Sequence, residues 1–285
     1  MKLANGQGWC ITATRGVRSW VKRLASLMEL KTCQGSGCPR LIFIKQESDK
    51  KWSKALLKEG WKSQNLKVLQ FWFHSETPDV LCDIGPGEGT ALDIIRMWQA
   101  LYPIYRRAQD LRGIPLHAAL VKRKKKGVLL AAPGNTGKTT CCSRLPHAWQ
   151  VLCDDETLIV CNSRGKYLAH PIPTWSNYLK RNYEQTLDVQ QYVPISSIFF
   201  LEQAKIDDVI PMGQGKAAVL INQSAMQLCY RNWRNLDLEE KRELKKKLFD
   251  NACELSKTVP AFMLRVSLYG RFWEEIEKVL KYASQ

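Results

Sequence analysis

The chain has 285 residues, 45% of them hydrophobic, with 43 lysines and arginines against 27 acidic residues and a formal net charge of +16. That apolar content suffices for one large or two smaller cores, and the basic excess points to acidic partners such as nucleic acid, an anionic membrane surface or an acidic peptide, with solubility as the plainer alternative. No stretch approaches the roughly 20 uncharged apolar residues of a membrane span, the segment MKLANGQGWC lacks the charged-then-apolar order of a secretion signal, and ten cysteines without a C-x-x-C or a matched histidine spacing do not make a zinc pattern; the expectation is a cytoplasmic protein with reduced thiols.

From the amino terminus, helix-spaced apolar residues predict a helix over Trp20–Leu30. Leu41–Ile44 and Val68–Phe73 read as strands, with a Gly/Ser/Cys loop over Lys31–Pro39. The glycine-rich run Val80–Thr90, VLCDIGPGEGT, precedes a helical pattern over Ala91–Tyr105. It resembles the first motif of nucleotide-fold methyltransferases, but no acidic residue closes an apolar strand roughly 20 residues later, and a structural turn before a helix is the better account. Residues 1–110 form one α/β section and residues 111–285 a second.

The second section opens with a strand over Gly113–Val121, GIPLHAALV, which contains His117. A lone histidine in such a stretch is more often a satisfied core group than a catalytic one. The cluster Lys122–Lys126, KRKKK, lies between two apolar runs and reads as a solvated hairpin turn. The apolar Val128–Leu130 then leads into Ala131–Thr140, AAPGNTGKTT. Gly137, Lys138 and Thr139 supply the second half of the phosphate-binding pattern G-x-x-x-x-G-K-[ST]. Ala132 stands where the first glycine is expected and Gly134 follows two residues on, so Ala132 must keep a negative φ. Backbone N–H groups of Asn135 to Thr139 and the start of the next helix can face phosphate oxygens; Gly134, Asn135, Thr136, Gly137, Lys138, Thr139 and Thr140 are the candidate nucleotide-binding residues. Lys138 would neutralise β/γ-phosphate and the Thr139 hydroxyl would join a Mg²⁺ shell.

A short helix from Thr139 stops at Pro146, and strands follow over Val151–Cys153 and Leu158–Cys161, with a turn at Asn162–Gly165. Passages this short imply antiparallel neighbours and a mixed sheet. Between the two strands stand Asp154, Asp155 and Glu156. Carboxylates closing an apolar strand after a phosphate loop suit metal and proton handling, one holding Mg²⁺ and another accepting a proton from the attacking hydroxyl; an acidic turn capped by solvent is the alternative. As neighbours on extended backbone, the two aspartates diverge. His170, Pro171, Pro173, Thr174 and Trp175 either line a substrate groove or form a strand edge with a core tryptophan. Later come a buried strand over Ile195–Leu201, a charged helix over Leu238–Leu248, a strand over Ala261–Ser267 and an amphipathic helix over Phe272–Tyr282.

His117, Gly137-Lys138-Thr139 and Asp154-Asp155, in this order and spacing, resemble the carboxy-terminal catalytic domain of the HPr kinase/phosphorylase family. More closely, LHAAL, GKTTCCSRLP, CDDE, the His170–Ser176 stretch and VPAFMLRVSLYGRFWEEI resemble the ScmC family of SynChlorMet gene clusters. The resemblance implies a P-loop core on a mixed sheet like that shared by HPr kinases and phosphoenolpyruvate carboxykinases. It implies ATP and Mg²⁺ as cofactors, His117 as the active-site histidine, Lys138 on phosphate, Thr139 and Asp154 at the metal, and Asp155 as the base. The E-[IV]-R-G-x-G signature is missing, so neither phosphorolysis nor the HPr substrate is carried over.

The expected activity is ATP-dependent phosphoryl transfer to a serine or threonine hydroxyl of a ribosomally made precursor peptide. A nucleotide-binding accessory protein that hydrolyses ATP slowly is the alternative. Partners implied are an acidic peptide or protein and cluster-encoded modification enzymes, with self-association open. Nucleic acid is disfavoured because Lys122–Lys126 and Lys241–Lys247 lack interleaved aromatics for base stacking.

Overall fold

The computed structural model describes residues 1–32, 37–45, 60–134, 136–180 and 183–282. The amino-terminal part builds a five-stranded sheet from β1 (Cys10–Ala13), β2 (Arg40–Ile44), β3 (Trp61–Leu66), β4 (Leu69–His74) and β5 (Val80–Asp83), ordered β1-β2-β5-β4-β3. β1, β2 and β5 are parallel, while the β3–β4 hairpin returns antiparallel against β5. Helix α1 (Arg18–Leu27) buries Trp20, Val21, Leu24 and Leu27 and sets Trp20 against Phe43 of β2, ring centroids 5.0 Å apart.

The glycine run after β5 turns through Gly85, Gly87 and Gly89, all at positive φ. Arg96 of α2 (Thr90–Gln99) donates to the carbonyls of Gly85, Pro86 and Gly87 at 3.2, 2.5 and 3.0 Å. Those carbonyls are satisfied by the helix that follows, as a structural turn requires. The helical pattern expected through Tyr105 breaks in two, because Pro103, near the start of α3 (Tyr102–Asp110), has no N–H to continue the ladder of α2.

The second sheet has nine strands: β6 (Ile114–Leu116), β7 (Ala118–Arg123), β8 (Lys126–Ala131), β9 (Gln150–Cys153), β10 (Glu156–Cys161), β11 (Tyr167–Ile172), β12 (Val193–Gln203), β13 (Asp208–Met212) and β14 (Ala261–Val266). β12 organises it. Its first residues pair with β11, its middle runs parallel to β8, and its second half runs parallel to β14. The remaining pairs are antiparallel, so the sheet is mixed. Alternation along β7 and β8 sorts the core. Ala119, Val121, Val128 and Leu130 pack with α4 (Lys138–Arg144) and α8 (Phe272–Tyr282), whereas Ala118, Leu120, Leu129 and Ala131 join a second cluster with α6 (Gln214–Cys229).

Two further expected elements take a different form. The strand over Gly113–Val121 is two strands, β6 and β7, which break at His117 and pair with different partners. The charged helix does not stop at Leu248: α7 (Leu238–Thr258) continues because Leu244, Leu248, Ala252 and Leu255 keep one buried stripe, and Asp237 caps its start by accepting from Glu240 N at 2.8 Å. The cluster Lys122–Lys126 spans the β7–β8 hairpin end, where Lys124 and Lys125 form the two-residue turn, with Lys124 at φ 55°, at the end of β8 opposite the glycine loop. The nine described cysteines are unpaired thiols, and Cys33 lies outside the described residues. Among the described residues, no helix is long and apolar enough to cross a membrane.

Candidate functional site

The glycine loop leaves β8 and enters α4 within a few residues. Gly137 takes a left-handed φ of 108° at the helix start, a conformation a side chain would strain. Ala132 is not among the positive-φ residues, so the bend avoids it, as its Cβ demands. Lys138 is buried, and its ammonium folds back to donate to the Ala132 carbonyl at 2.9 Å. Burial lowers its pKa, an effect opposed by the charges of Asp155 and Asp154. The Thr139 hydroxyl donates to Asp154 Oδ2 at 3.1 Å, and the Thr174 hydroxyl donates to the other oxygen of the same carboxylate. One carboxylate and two hydroxyls thus converge beside a buried lysine.

Topology explains how the histidine and the aspartates meet. The chain passes from β6 to β7 at His117 and from β9 to β10 at Asp154-Asp155, and in each passage it leaves one group of strands for the other. β6 pairs with β10 and β7 pairs with β9, with Leu116 opposite Thr157 and Leu120 opposite Cys153. The two crossovers therefore lie side by side. His117 Nε2 is 2.8 Å from Asp155 Oδ1. Its Nδ1 contacts the side-chain amide of Gln227 on α6, which accepts from an imidazolium or, turned over, donates to a neutral ring. Burial works against the Asp155 charge, but the His117 hydrogen bond and the charges of His117, Lys138 and Arg231 outweigh it and hold this carboxyl below the usual range. The two aspartates diverge as expected, but from a bend between β9 and β10 and not from extended backbone: Asp154 faces the Thr139 side and Asp155 faces His117.

Behind them Glu156 is fully enclosed. Trp98 Nε1 donates to its Oε1 at 2.7 Å and the Tyr105 hydroxyl lies 3.1 Å from its Oε2, which ties α2 and α3 to the crossover. Burial first, then the neighbouring Asp155 charge, pushes the Glu156 carboxyl up to about 8 despite those hydrogen bonds. Neither helix residue carries a sequence signal for this contact.

A family model described as the SynChlorMet cassette protein ScmC matches residues 80–281, well over half of the chain. The chain belongs to the ScmC family. No curated protein matches it. The ScmC match begins at β5 and so takes in α2 and α3 as well as the nine-stranded sheet, and it contains His117, Lys138, Thr139, Asp154, Asp155 and Glu156.

Within this ScmC region the other expected site residues separate. Gly134, Thr136, Gly137 and Thr140 lie on the loop and helix start, Thr136 closing the loop by donating to the Pro133 carbonyl at 2.9 Å, and Asn135 lies outside the described residues. Thr174 and Pro173 line a groove of about 650 Å³ together with Thr139, Asp154 and Tyr178. His170 and Trp175 do not reach it. His170 is fully buried, taking the Ala4 N–H on Nε2 at 3.0 Å and bonding the Val189 carbonyl through Nδ1 at 3.0 Å, and burial lowers its pKa, so it is a core histidine. Trp175, on the short helix α5 (Trp175–Tyr178), is 2% exposed and packs on Tyr178, ring centroids 5.7 Å apart. Among the described residues, no three His, Cys, Asp or Glu side chains form a metal-binding group. The Thr139–Asp154 pair instead suits a hard cation that completes its shell with water and phosphate oxygens.

Proposed function

We propose that the chain is an ATP- and Mg²⁺-dependent phosphotransferase of the cytoplasm, with an HPr kinase-like P-loop core, acting on a serine or threonine hydroxyl of a ribosomally made precursor peptide. The observation that carries this reading is the double pairing at one point of the fold: Thr139 with Asp154 at 3.1 Å, and His117 with Asp155 at 2.8 Å, both beside the Lys138 ammonium. Bound MgATP supplies the phosphoryl group together with a divalent charge. Thr139 and Asp154 are the oxygen donors suited to the metal, and the Lys138 ammonium exchanges its loop carbonyl for phosphate oxygens. Asp155 accepts the proton of the acceptor hydroxyl while His117 holds the carboxylate in place. Catalysis on this reading is positioning and charge neutralisation.

The deciding experiment incubates the protein with γ-labelled ATP, Mg²⁺ and the peptides encoded beside it, followed by mass spectrometry. A gain of one phosphate on a peptide is expected. Release of free phosphate with no modified peptide would replace the kinase by the nucleotide-hydrolysing accessory protein.

A further inference from the structure

We propose that the cleft between the β3–β4 hairpin and the turn at residues 230–235 is an anion-binding pocket that takes the acidic side chains of a peptide. Its lining, around a volume of about 340 Å³, is unusual in sign: Lys67, Arg231 and Arg234 stand with Asn65, Gln99 and Asn235, and no acidic residue contributes. None of the three cations has a carboxylate within ion-pair distance among the described residues. The walls are tied together, since Asn235 Nδ2 donates to the Asn65 carbonyl at 2.9 Å and Gln64 Nε2 donates to the Asn232 carbonyl at 3.3 Å. Three cations without carboxylate partners match the acidic side chains of a peptide.

The surroundings extend the match. Lys241 donates to the Arg234 carbonyl at 2.9 Å and Lys245 lies 5.5 Å from the centroid of Tyr230, so the positive surface continues from the pocket onto α7. Tyr230, half exposed, is thereby engaged by a lysine, and the pocket lining itself contains no aromatic ring on which a nucleobase could stack. Arg231 is common to this pocket and to the site described above. It lies 5.2 Å over the Trp98 ring, and its charge acts on both Asp155 and Glu156. An acidic residue held here brings its chain neighbours toward Asp155. Only this last consequence rests on the phosphotransferase reading; the binding itself does not.

The test is fluorescence anisotropy at low ionic strength, without nucleotide, using the full chain and a fluorescein-labelled peptide of alternating glutamate and glycine. The glutamine–glycine peptide is the uncharged control. Lys67 and Arg234 are exposed side chains, as is the Lys124-Lys125 pair at the far β7–β8 turn, so two charge-matched double variants are compared. Lys67→Gln with Arg234→Gln should weaken the acidic peptide by about 5–10-fold, the loss expected when two partly solvated charge contacts go. Lys124→Gln with Lys125→Gln should leave its affinity unchanged, and the control peptide should not bind. Equal weakening by both pairs would reduce the effect to net charge and overturn the proposal, as would no weakening by the first pair, or displacement of the peptide by random single-stranded DNA at lower concentration. If the first pattern holds while the protein transfers no phosphate to any peptide, the pocket stands and the phosphotransferase reading falls.

Discussion

Replacing Glu156 by glutamine should make the protein more stable, and increasingly so as the pH rises. Burial and the adjacent Asp155 charge raise this carboxyl from an ordinary 4.5 to about 8. The folded chain therefore keeps a proton over a range in which the unfolded chain has released it, so this contribution is complete below about pH 4.5 and is lost as the pH climbs to 8 and beyond. At ~1.36 kcal/mol per pH unit the full loss has an upper figure of roughly 4–5 kcal/mol, and relaxation around the ionised group brings the observable part to ~2–4 kcal/mol. Glutamine reproduces the neutral form: its carbonyl accepts from Trp98 Nε1 and its amide donates to the Tyr105 hydroxyl, the two contacts now made at 2.7 and 3.1 Å. Urea unfolding in magnesium-free buffer at pH 5, 7 and 9 should show wild type and Glu156→Gln nearly equal at the lowest pH and the variant ahead by ~2–4 kcal/mol at the highest. A constant difference across the series, or a variant that loses stability at pH 9, would refute the reasoning.

Lys138→Ala should weaken MgATP by at least ~10-fold in calorimetry, the loss of one charge-assisted contact; unchanged affinity would remove the nucleotide assignment. Asp155→Asn should lower phosphoryl transfer by roughly 10²–10⁴ while nucleotide affinity holds, whereas Asp154→Asn should raise the Mg²⁺ concentration needed for half-maximal rate. His117→Ala should depress transfer as strongly as Asp155→Asn and add little to it in the double variant, because the two side chains act as one bonded pair; full additivity in the double variant counts against the pair. Gly113→Ala should cost about 1–3 kcal/mol in thermal or urea unfolding, since its Cβ would come within 2.7 Å of the Ala108 carbonyl oxygen and 2.8 Å of that of Ile159.

Local residue patterns were easier to read from the sequence than pairings across the fold. Gly137-Lys138-Thr139 and Asp154-Asp155 stand out because each is a short run of restricted residue types beside an apolar strand, and a β8 strand entering α4 follows from the same pattern. Phe272–Tyr282 was legible because its apolar residues recur at the helical period against a charged face. Helix α6 was not, because its run Ala217–Ile221 is apolar on more than one face and hides the 3.6-residue repeat. Leu244, Leu248, Ala252 and Leu255 did hold that repeat, but the dense lysines around the first half of α7 masked its continuation. His170 and Trp175 sat in a stretch rich in functional residue types, and only burial could separate them from Thr174. Trp98, Tyr105 and Arg231 act on the acidic crossover and Gln227 on His117, from four different elements, which no local pattern encodes.

The break at His117 shows why such pairings escape a linear reading and still constrain the chain tightly. Gly113–Val121 has the composition of one continuous strand, yet its two halves answer to different neighbours, β10 for Ile114–Leu116 and β9 for Leu120–Lys122. A continuous strand would carry both pairings in a single line and would leave no bend at His117. The same pair of neighbours forces the break between β9 and β10, so one choice of strand partners produces both crossovers. Because the two bends are neighbours, their side chains meet: the imidazole of His117 pairs with Asp155, and the Asp154 carboxylate accepts from Thr139 and Thr174. Glu156, one residue further, re-enters the ladder opposite Ile172 and is buried at once. The step from a carboxylate below its usual range to one raised to about 8 is thus made across a single peptide bond, by topology and not by a difference in residue type.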